Sequence, residues 1–180
     1  MIIGLGHTAR VGKDTFAARL VDAHGFTRLA FADALRSFVF DADPNIRELV
    51  VRYGWERAKG IATVRGALAG YGNAARDHFG ADVWISKVEA QIDPRRDYVI
   101  TDVRYPNECR MVHWHCGRLV KITRPGFYPV NHADEELADF DEWDAVVVND
   151  GPVEHLASKA DDLVRSLNVS KGLHAYFIDG

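Results

Sequence analysis

MIIGLGHTARVGKDT, residues 1–15, decides how the rest of the chain is placed. Its short apolar run, Met1 to Leu5, reads as a strand, and Gly12-Lys13-Asp14-Thr15 closes a loop that leads into Phe16 to Ala23, a segment of helical periodicity. A strand, a glycine loop and a helix in that order turn successive backbone N–H groups and a helix N-terminus toward one point, where the lysine adds a mobile positive charge. The natural occupant of that point is a polyphosphate. The plain alternative is a Gly-rich turn capped by Asp14.

The P-loop pattern G-x-x-x-x-G-K-[ST] states the same geometry as a motif. Counted back from Gly12, its first glycine falls on His7, with Gly6 just before it. Asp14 stands at the hydroxyl position, and Thr15 follows one residue later. Two defining positions are altered, but the strand before and the helix after are the context the motif needs.

Composition narrows the classes. At 180 residues, 47% of them hydrophobic, the chain is long enough for one well-buried domain and short for two. A net charge of −4 argues against a nucleic-acid partner, whose phosphates call for a basic surface. No apolar run approaches the roughly 20 residues that span a bilayer, and no basic region precedes the N-terminal apolar stretch. The expectation is a soluble cytoplasmic protein with no membrane or nucleic-acid partner. Cys109 and Cys116 are too few for a disulfide framework and fit a reducing compartment.

In chain order, the first helix should run from about Lys13 to His24 and stop at Gly25. Thr27 to Phe31 reads as a second strand, with Asp33 as N-cap of a helix over Ala34 to Phe40. Asp41 to Pro44 breaks the pattern, and Asn45 to Ile61 takes no assignment. Thr63 to His78 reads as a helix carrying Arg65 and Arg76, eleven residues apart and so nearly on one face, where they could grip a phosphate or simply face solvent. Asp82 should cap a helix over Val83 to Ile92 that turns Trp84, Ile85 and Val88 inward. Tyr98 to Thr101 is a strand ending at Asp102, a carboxylate at the carboxyl end of a strand, where α/β sheets bind ligands. Cys109, His113 and Cys116 fall at spacings that share a helix face, but no second chelating pair completes a zinc site, so buried thiols beside a polar histidine are preferred. Arg118 to Thr123 and Ala145 to Val148 are the last strands, Asn149-Asp150-Gly151 a turn, and Glu154 to Leu167 the last helix. The apolar tail, Lys171 to Gly180, should pack as an added strand or dock a second subunit, which would make a homodimer.

Five short strands alternating with helices, without hairpin turns, predict an α/β three-layer P-loop sandwich with a parallel five-stranded sheet and helices on both faces. It should form one domain over residues 1–180 with acceptor-binding or lid insertions around 43–92 and 124–144.

A collinear set of motifs carries a resemblance. They are G-x-x-A-R-x-G-K-D-T in Gly6 to Thr15, F-A-D-x-L-R in Phe31 to Arg36, G-x-D-x-W in Gly80 to Trp84, D-x-R-x-x-N-E in Asp102 to Glu108, and the late N-D-G before a helix. Together they resemble the deoxynucleoside monophosphate kinases of tailed bacteriophages and, more distantly, the wider P-loop nucleoside monophosphate kinases. The resemblance implies that ATP and Mg²⁺ bind at the loop and that the γ-phosphoryl group passes to a deoxynucleoside monophosphate. His7, Ala9, Arg10, Val11, Gly12, Lys13, Asp14 and Thr15 would hold the nucleotide, with Lys13 bridging the transferring phosphates and Arg10 reaching over them. Thr15 is the first choice for the Mg²⁺ shell, with Asp14 and Asp102 behind it. Arg36, Arg65, Arg76 and Arg104 would receive the acceptor phosphate, with Asp33, Leu35, Asp82 and Trp84 beside them, and Arg124 would belong to a closing lid. An i to i+4 pairing of Arg104 with Glu108 is the competing account for that arginine. The alternatives are another small-molecule P-loop kinase, such as one acting on a phosphorylated metabolite, or a nucleotide-binding protein without catalysis.

Overall fold

A computed structural model describes residues 1–6, 8–128 and 136–175, with side chains described to residue 168. The His7 expectation, part of the proposed lid and the end of the tail lie outside the described residues. The strands are β1 (Ile2–Gly6), β2 (Thr27–Leu29), β3 (Tyr98–Val103), β4 (Arg118–Thr123) and β5 (Ala145–Val148). The helices are α1 (Lys13–His24), α2 (Phe31–Ala42), α3 (Pro44–Tyr53), α4 (Trp55–Ala58), α5 (Ala62–Phe79), α6 (Val83–Glu89), α7 (Pro106–Trp114) and α8 (Val153–Ala175). The chain divides into two compact units, Met1–Arg28 with Pro94–Gly180, and Leu29–Asp93.

The first unit is an α/β sandwich on a parallel sheet of order β2-β3-β1-β4-β5. Side-chain alternation along β1 sorts its two faces. Ile3 and Leu5 join Phe16 and Leu20 of α1 and Leu156, Ala160 and Val164 of α8 in one buried core. Gly4 points the other way, where a Cβ would sit 3.0 Å from Val112 of α7 and from Leu119. Because strands buried on both faces need no polar side, β1 and β3 are almost wholly apolar. The connection after β1 leads toward β2, whereas the one after β4 leads toward β5. Those two neighbours therefore form a switch point, and the carboxyl ends of strands at such a point are where open α/β sheets bind ligands.

One irregularity re-aims a side chain at that edge. Gly4 pairs with Ile100 but Gly6 with Val103, so β3 carries an extra residue opposite the end of β1. A bulge of this kind inverts the alternation beyond it. Val99 lies in the α1/α8 core, yet Val103 reaches the Gly4 side. Asp102 sits in the bulge, within β3 rather than just after it as the sequence suggested.

The second unit is helical, with its own core of Val39, Ile46, Ala58 and Val64, against which Leu35, Leu49, Trp55 and Tyr71 pack. Its one unassigned stretch proves regular. Asp43 caps α3, its Oδ1 accepting from the N–H groups of Asn45 and Ile46 at 3.0 and 3.3 Å, and Pro44 takes the first turn where no N–H is missed. The apparent break at Asp41 to Pro44 is a helix start.

Other boundaries moved for local reasons. β2 stops at Leu29, and α2 starts at Phe31 from an extended Ala30, so Asp33 stands inside the first turn instead of capping it. There it pairs with Arg36 at i+3. Asp82 precedes α6 without a side-chain capping bond, and α6 ends at Glu89 rather than Ile92. Cys116 lies beyond the end of α7 with φ +53 and is exposed, whereas Cys109 is buried, so the three supposed ligands share no helix face. Among the described residues no cluster of three His, Cys, Asp or Glu side chains could hold a metal. α8 continues to Ala175, so the first part of the tail is helix and not strand.

Candidate functional site

The loop between β1 and α1 is shaped by two left-handed residues, Arg10 at φ +62 and Gly12 at φ +102. Such a turn gathers consecutive N–H groups on one concave side, beside the positive end of α1. Gly12 is the residue before the helix, and its carbonyl accepts from Phe16 N–H at 3.0 Å. A Cβ there would meet Asn149 Nδ2 at 2.7 Å and Leu156 Cδ2 at 2.9 Å, so the position is closed to other residues on two grounds. Lys13, the first residue of α1, runs back across the loop and its Nζ donates to the Thr8 carbonyl. Both Lys13 and Thr8 are 8% exposed. Val11 is buried in the core, Ala9 half-buried, and Arg10, Asp14 and Thr15 are exposed. The arrangement presents a fixed cation and a set of backbone donors to an anion, with a hydroxyl and a carboxylate at its rim.

Parallel strands bring other side chains to the same edge of the sheet. Asp102 is half-buried in the β3 bulge next to the end of β1. Arg104 follows β3, half-buried; its backbone N–H, not its guanidinium, bonds Glu108 Oε2 at 2.7 Å, and Tyr105 N–H bonds the same oxygen at 3.1 Å. The expected i to i+4 ion pair is replaced by this cap, because Arg104 precedes α7 instead of lying on it. Arg124 follows β4, exposed, with its guanidinium 4.8 Å from the Phe127 ring centre.

Three residues at this edge escaped the sequence reading. Asn149 donates from Nδ2 to the Val11 carbonyl at 2.9 Å, and its own N–H bonds Thr123 O at 2.7 Å. The Trp143 ring lies against Gly6, where a Cβ would overlap it, and its Nε1–H bonds Phe140 O at 2.9 Å. Thr8 supplies the carbonyl that holds Lys13. Only Asn149 left a trace, in the N-D-G that reads as a turn.

The remaining candidates belong to the second unit. Arg36 is bonded to Asp33 and stacks on Trp55 at 4.1 Å, with a buried Nε that has no hydrogen-bond partner among the described residues. Leu35 packs against Gly72. Arg65 is exposed and Arg76 half-buried on α5, whose unbroken course sets them about 16 Å apart along its axis at 1.5 Å per residue. They share a face, and a phosphate between them would need both side chains extended toward each other along the helix. Asp82 is exposed. Trp84 is buried edge-on to Phe38, with ring centres 5.8 Å apart. Both rings, with Asp33, Asp41 and Lys87, line a cavity of about 760 Å³ among α2, α5 and α6.

The fold and this edge define a class: an α/β protein with a parallel five-stranded sheet whose first strand leads through a glycine loop into a helix. No family model matches the chain. It is 27% identical over 185 residues to a protein of Acanthamoeba polyphaga mimivirus, provisionally named a deoxynucleotide monophosphate kinase, across 88% of this chain and 93% of that one. Among solved structures it is similar to an unliganded sugar kinase from Janibacter sp. HTCC2649, with a TM-score of 0.40 and 15% identity over 88% of this chain and 90% of that one. The latter likeness is too distant to bear on function.

Proposed function

We propose that the chain is an ATP-dependent deoxynucleoside monophosphate kinase. The observation that carries the reading is the loop itself, with Gly12 at φ +102 and Lys13 folded across it at the head of a parallel sheet's central strand. The mimivirus relative supports the same activity. The N–H groups around Ala9, Val11 and Gly12 would hold the β- and γ-phosphates, with Lys13 and Arg10 balancing their charge. Thr15 would enter the shell of a Mg²⁺ ion, backed by Asp14 and Asp102; magnesium keeps several waters and takes few protein ligands, which fits a rim with one hydroxyl and two carboxylates. An oxygen of the acceptor 5′-phosphate attacks the γ-phosphorus as the bond to the ADP oxygen breaks. The protein's part is alignment and cancellation of charge.

On the acceptor side, the cavity of the second unit is of a size that suits a small molecule, and Phe38 and Trp84 give it aromatic walls for a base. In the second unit Arg76 and Arg36 are the candidates for the acceptor phosphate, with Arg65, Asp33, Leu35 and Asp82 as further acceptor-side candidates; in the first unit Arg104 is a candidate for the acceptor phosphate and Arg124 for the γ-phosphate. Asp33 and Asp41 on the cavity favour a second reading, a P-loop kinase acting on an uncharged hydroxyl acceptor, because carboxylates repel a dianion. A coupled assay of ADP formation with a panel of deoxynucleoside monophosphates, sugars and phosphorylated metabolites tests both. Turnover with at least one deoxynucleoside monophosphate is expected, and turnover only with the other acceptors would replace the first reading by the second.

A further inference from the structure

The turn signal Asn149-Asp150-Gly151 has a use that neither its position after β5 nor the motif predicts. Asn149 ties together three pieces of the first unit. Its N–H bonds the end of β4 at Thr123 O, its backbone continues β5, and its Nδ2 reaches the Val11 carbonyl, 138 residues away in sequence. The Val11 bond matters because of what lies on the same peptide plane. In a trans peptide the carbonyl and the next N–H point in opposite directions. A Val11 carbonyl held toward Asn149 therefore holds the Gly12 N–H away from Asn149. Gly12 cannot hold this orientation alone, since a glycine populates either sign of φ. Were the 11–12 peptide to turn over, a carbonyl would replace an N–H and repel a phosphate. Val11 is 1% exposed, so solvent cannot supply the missing donor freely.

We infer that Asn149 is a positioning residue, which presets the Val11–Gly12 peptide so that the Gly12 N–H is available to a polyphosphate before the ligand arrives. The inference rests on the phosphate-loop reading and goes beyond it, because Asn149 acts through the loop and not on the ligand. Two ligands separate these possibilities: ATP, and inorganic tripolyphosphate, which has phosphates but no base or sugar.

The test is calorimetric titration of the wild-type chain, Asn149→Ala and Asn149→Asp with each ligand in the presence of Mg²⁺, alongside thermal melts. The expected result is that Asn149→Ala weakens both ligands by roughly 3- to 10-fold, the equivalent of one neutral hydrogen bond. Asn149→Asp, which keeps the shape but sets an oxygen against the Val11 carbonyl, should weaken both further. A merely structural asparagine would lower the melting temperature and leave both affinities in place, and that outcome overturns the inference. Loss for ATP with unchanged tripolyphosphate binding also overturns it, since Asn149 would then touch the nucleoside. If Asn149→Ala fails to fold, the isosteric Asn149→Asp decides by the same criteria. A wild-type chain that binds neither ligand removes the phosphate-loop reading and this inference together, whereas tight wild-type binding with unaltered variants removes the inference alone.

Discussion

Lys13 is buried, so truncating it has two separable consequences. The Thr8 carbonyl loses its donor, at a cost of about 1 kcal/mol, and the melting temperature should fall by about 2–4 °C. On the proposed function, phosphoryl transfer should fall by far more, roughly 10²- to 10³-fold, because the lysine's charge would serve the transition state. A folded Lys13→Ala variant with near-normal turnover would remove the lysine from catalysis. The two cysteines differ in their access to solvent. Burial pushes the Cys109 thiol up to about 12, whereas Cys116 is exposed past the end of α7. A chromogenic disulfide reagent at pH 8 should titrate one thiol rapidly in the native protein and two in denaturant; two fast thiols would contradict the packing of α7. At this scale the strand, glycine loop and helix were legible because their signal is local, a glycine and a lysine between an apolar run and a segment of helical periodicity. Asn149 was not, since its role depends on a partner 138 residues away that only the fold brings near.

Elements are joined at Asp144, which lies between Trp143 and the start of β5. Its Oδ2 accepts from Leu119 N–H at 2.7 Å and lies 3.1 Å from His113 Nε2, while Oδ1 accepts from Arg118 Nη1 at 2.9 Å. One carboxylate thereby links β5 to β4 and to the end of α7. Burial alone would raise its pKa, but the bonds from Leu119, Arg118 and His113 outweigh it and hold the carboxyl below its ordinary value. A depressed folded pKa contributes stability above the unfolded value, about 3.9, that is lost as the pH falls through the folded one. Asp144→Asn should therefore lower the melting temperature at pH 7 by several degrees, at about 1–3 kcal/mol for hydrogen bonds to a charged group. The difference between variant and wild type should shrink below about pH 4, where the wild-type carboxyl also becomes neutral. A difference independent of pH would assign the effect to packing. The strands near Asp144 were read with their full bounds, β5 as a continuous apolar run and β4 from Leu119, Val120 and Ile122 ahead of the stop at Arg124-Pro125-Gly126. α3 and α4 were missed for the opposite reason: Asp43-Pro44 can either stop a helix or start one, and only the bonds from Asn45 and Ile46 decide.

Across the whole molecule, apolar burial is uneven. The first unit's core joins residues of four strands with α1 and α8, whereas the second rests on Val39, Ile46, Ala58 and Val64 with half-buried neighbours. Fewer fully buried contacts mean a lower free energy of local opening. Amide hydrogen exchange should be faster over α3 to α5 than over β1, β3 and β4, and equal protection would contradict the division into two units. The sequence reading placed an insertion around 43–92 within one domain, a range that overlaps the second unit, while the helices around Asn45 to Ile61 went unassigned. The same unit holds most of the proposed acceptor side, and its arginines differ in how free they are to act. Arg36 is already bonded to Asp33 and stacked on Trp55, so a phosphate must compete for it. Arg65 and Arg76 lie three turns apart on α5, and Arg76 is the more enclosed. Charge-assisted hydrogen bonds are worth about 1.5–3 kcal/mol, so Arg76→Ala should raise the acceptor KM or lower kcat/KM by roughly 10- to 150-fold and leave the KM for ATP nearly constant. Arg65→Ala should have the smaller effect. Asp33→Asn offers the complementary sign: releasing Arg36 from its partner should strengthen the binding of a phosphorylated acceptor while leaving an uncharged one little changed. If Arg76→Ala, Arg36→Ala and Asp33→Asn all left the deoxynucleotide KM and kcat within about twofold of wild type, the acceptor phosphate would not lie among these arginines. The kinase of uncharged acceptors would then account better for the two carboxylates on the cavity.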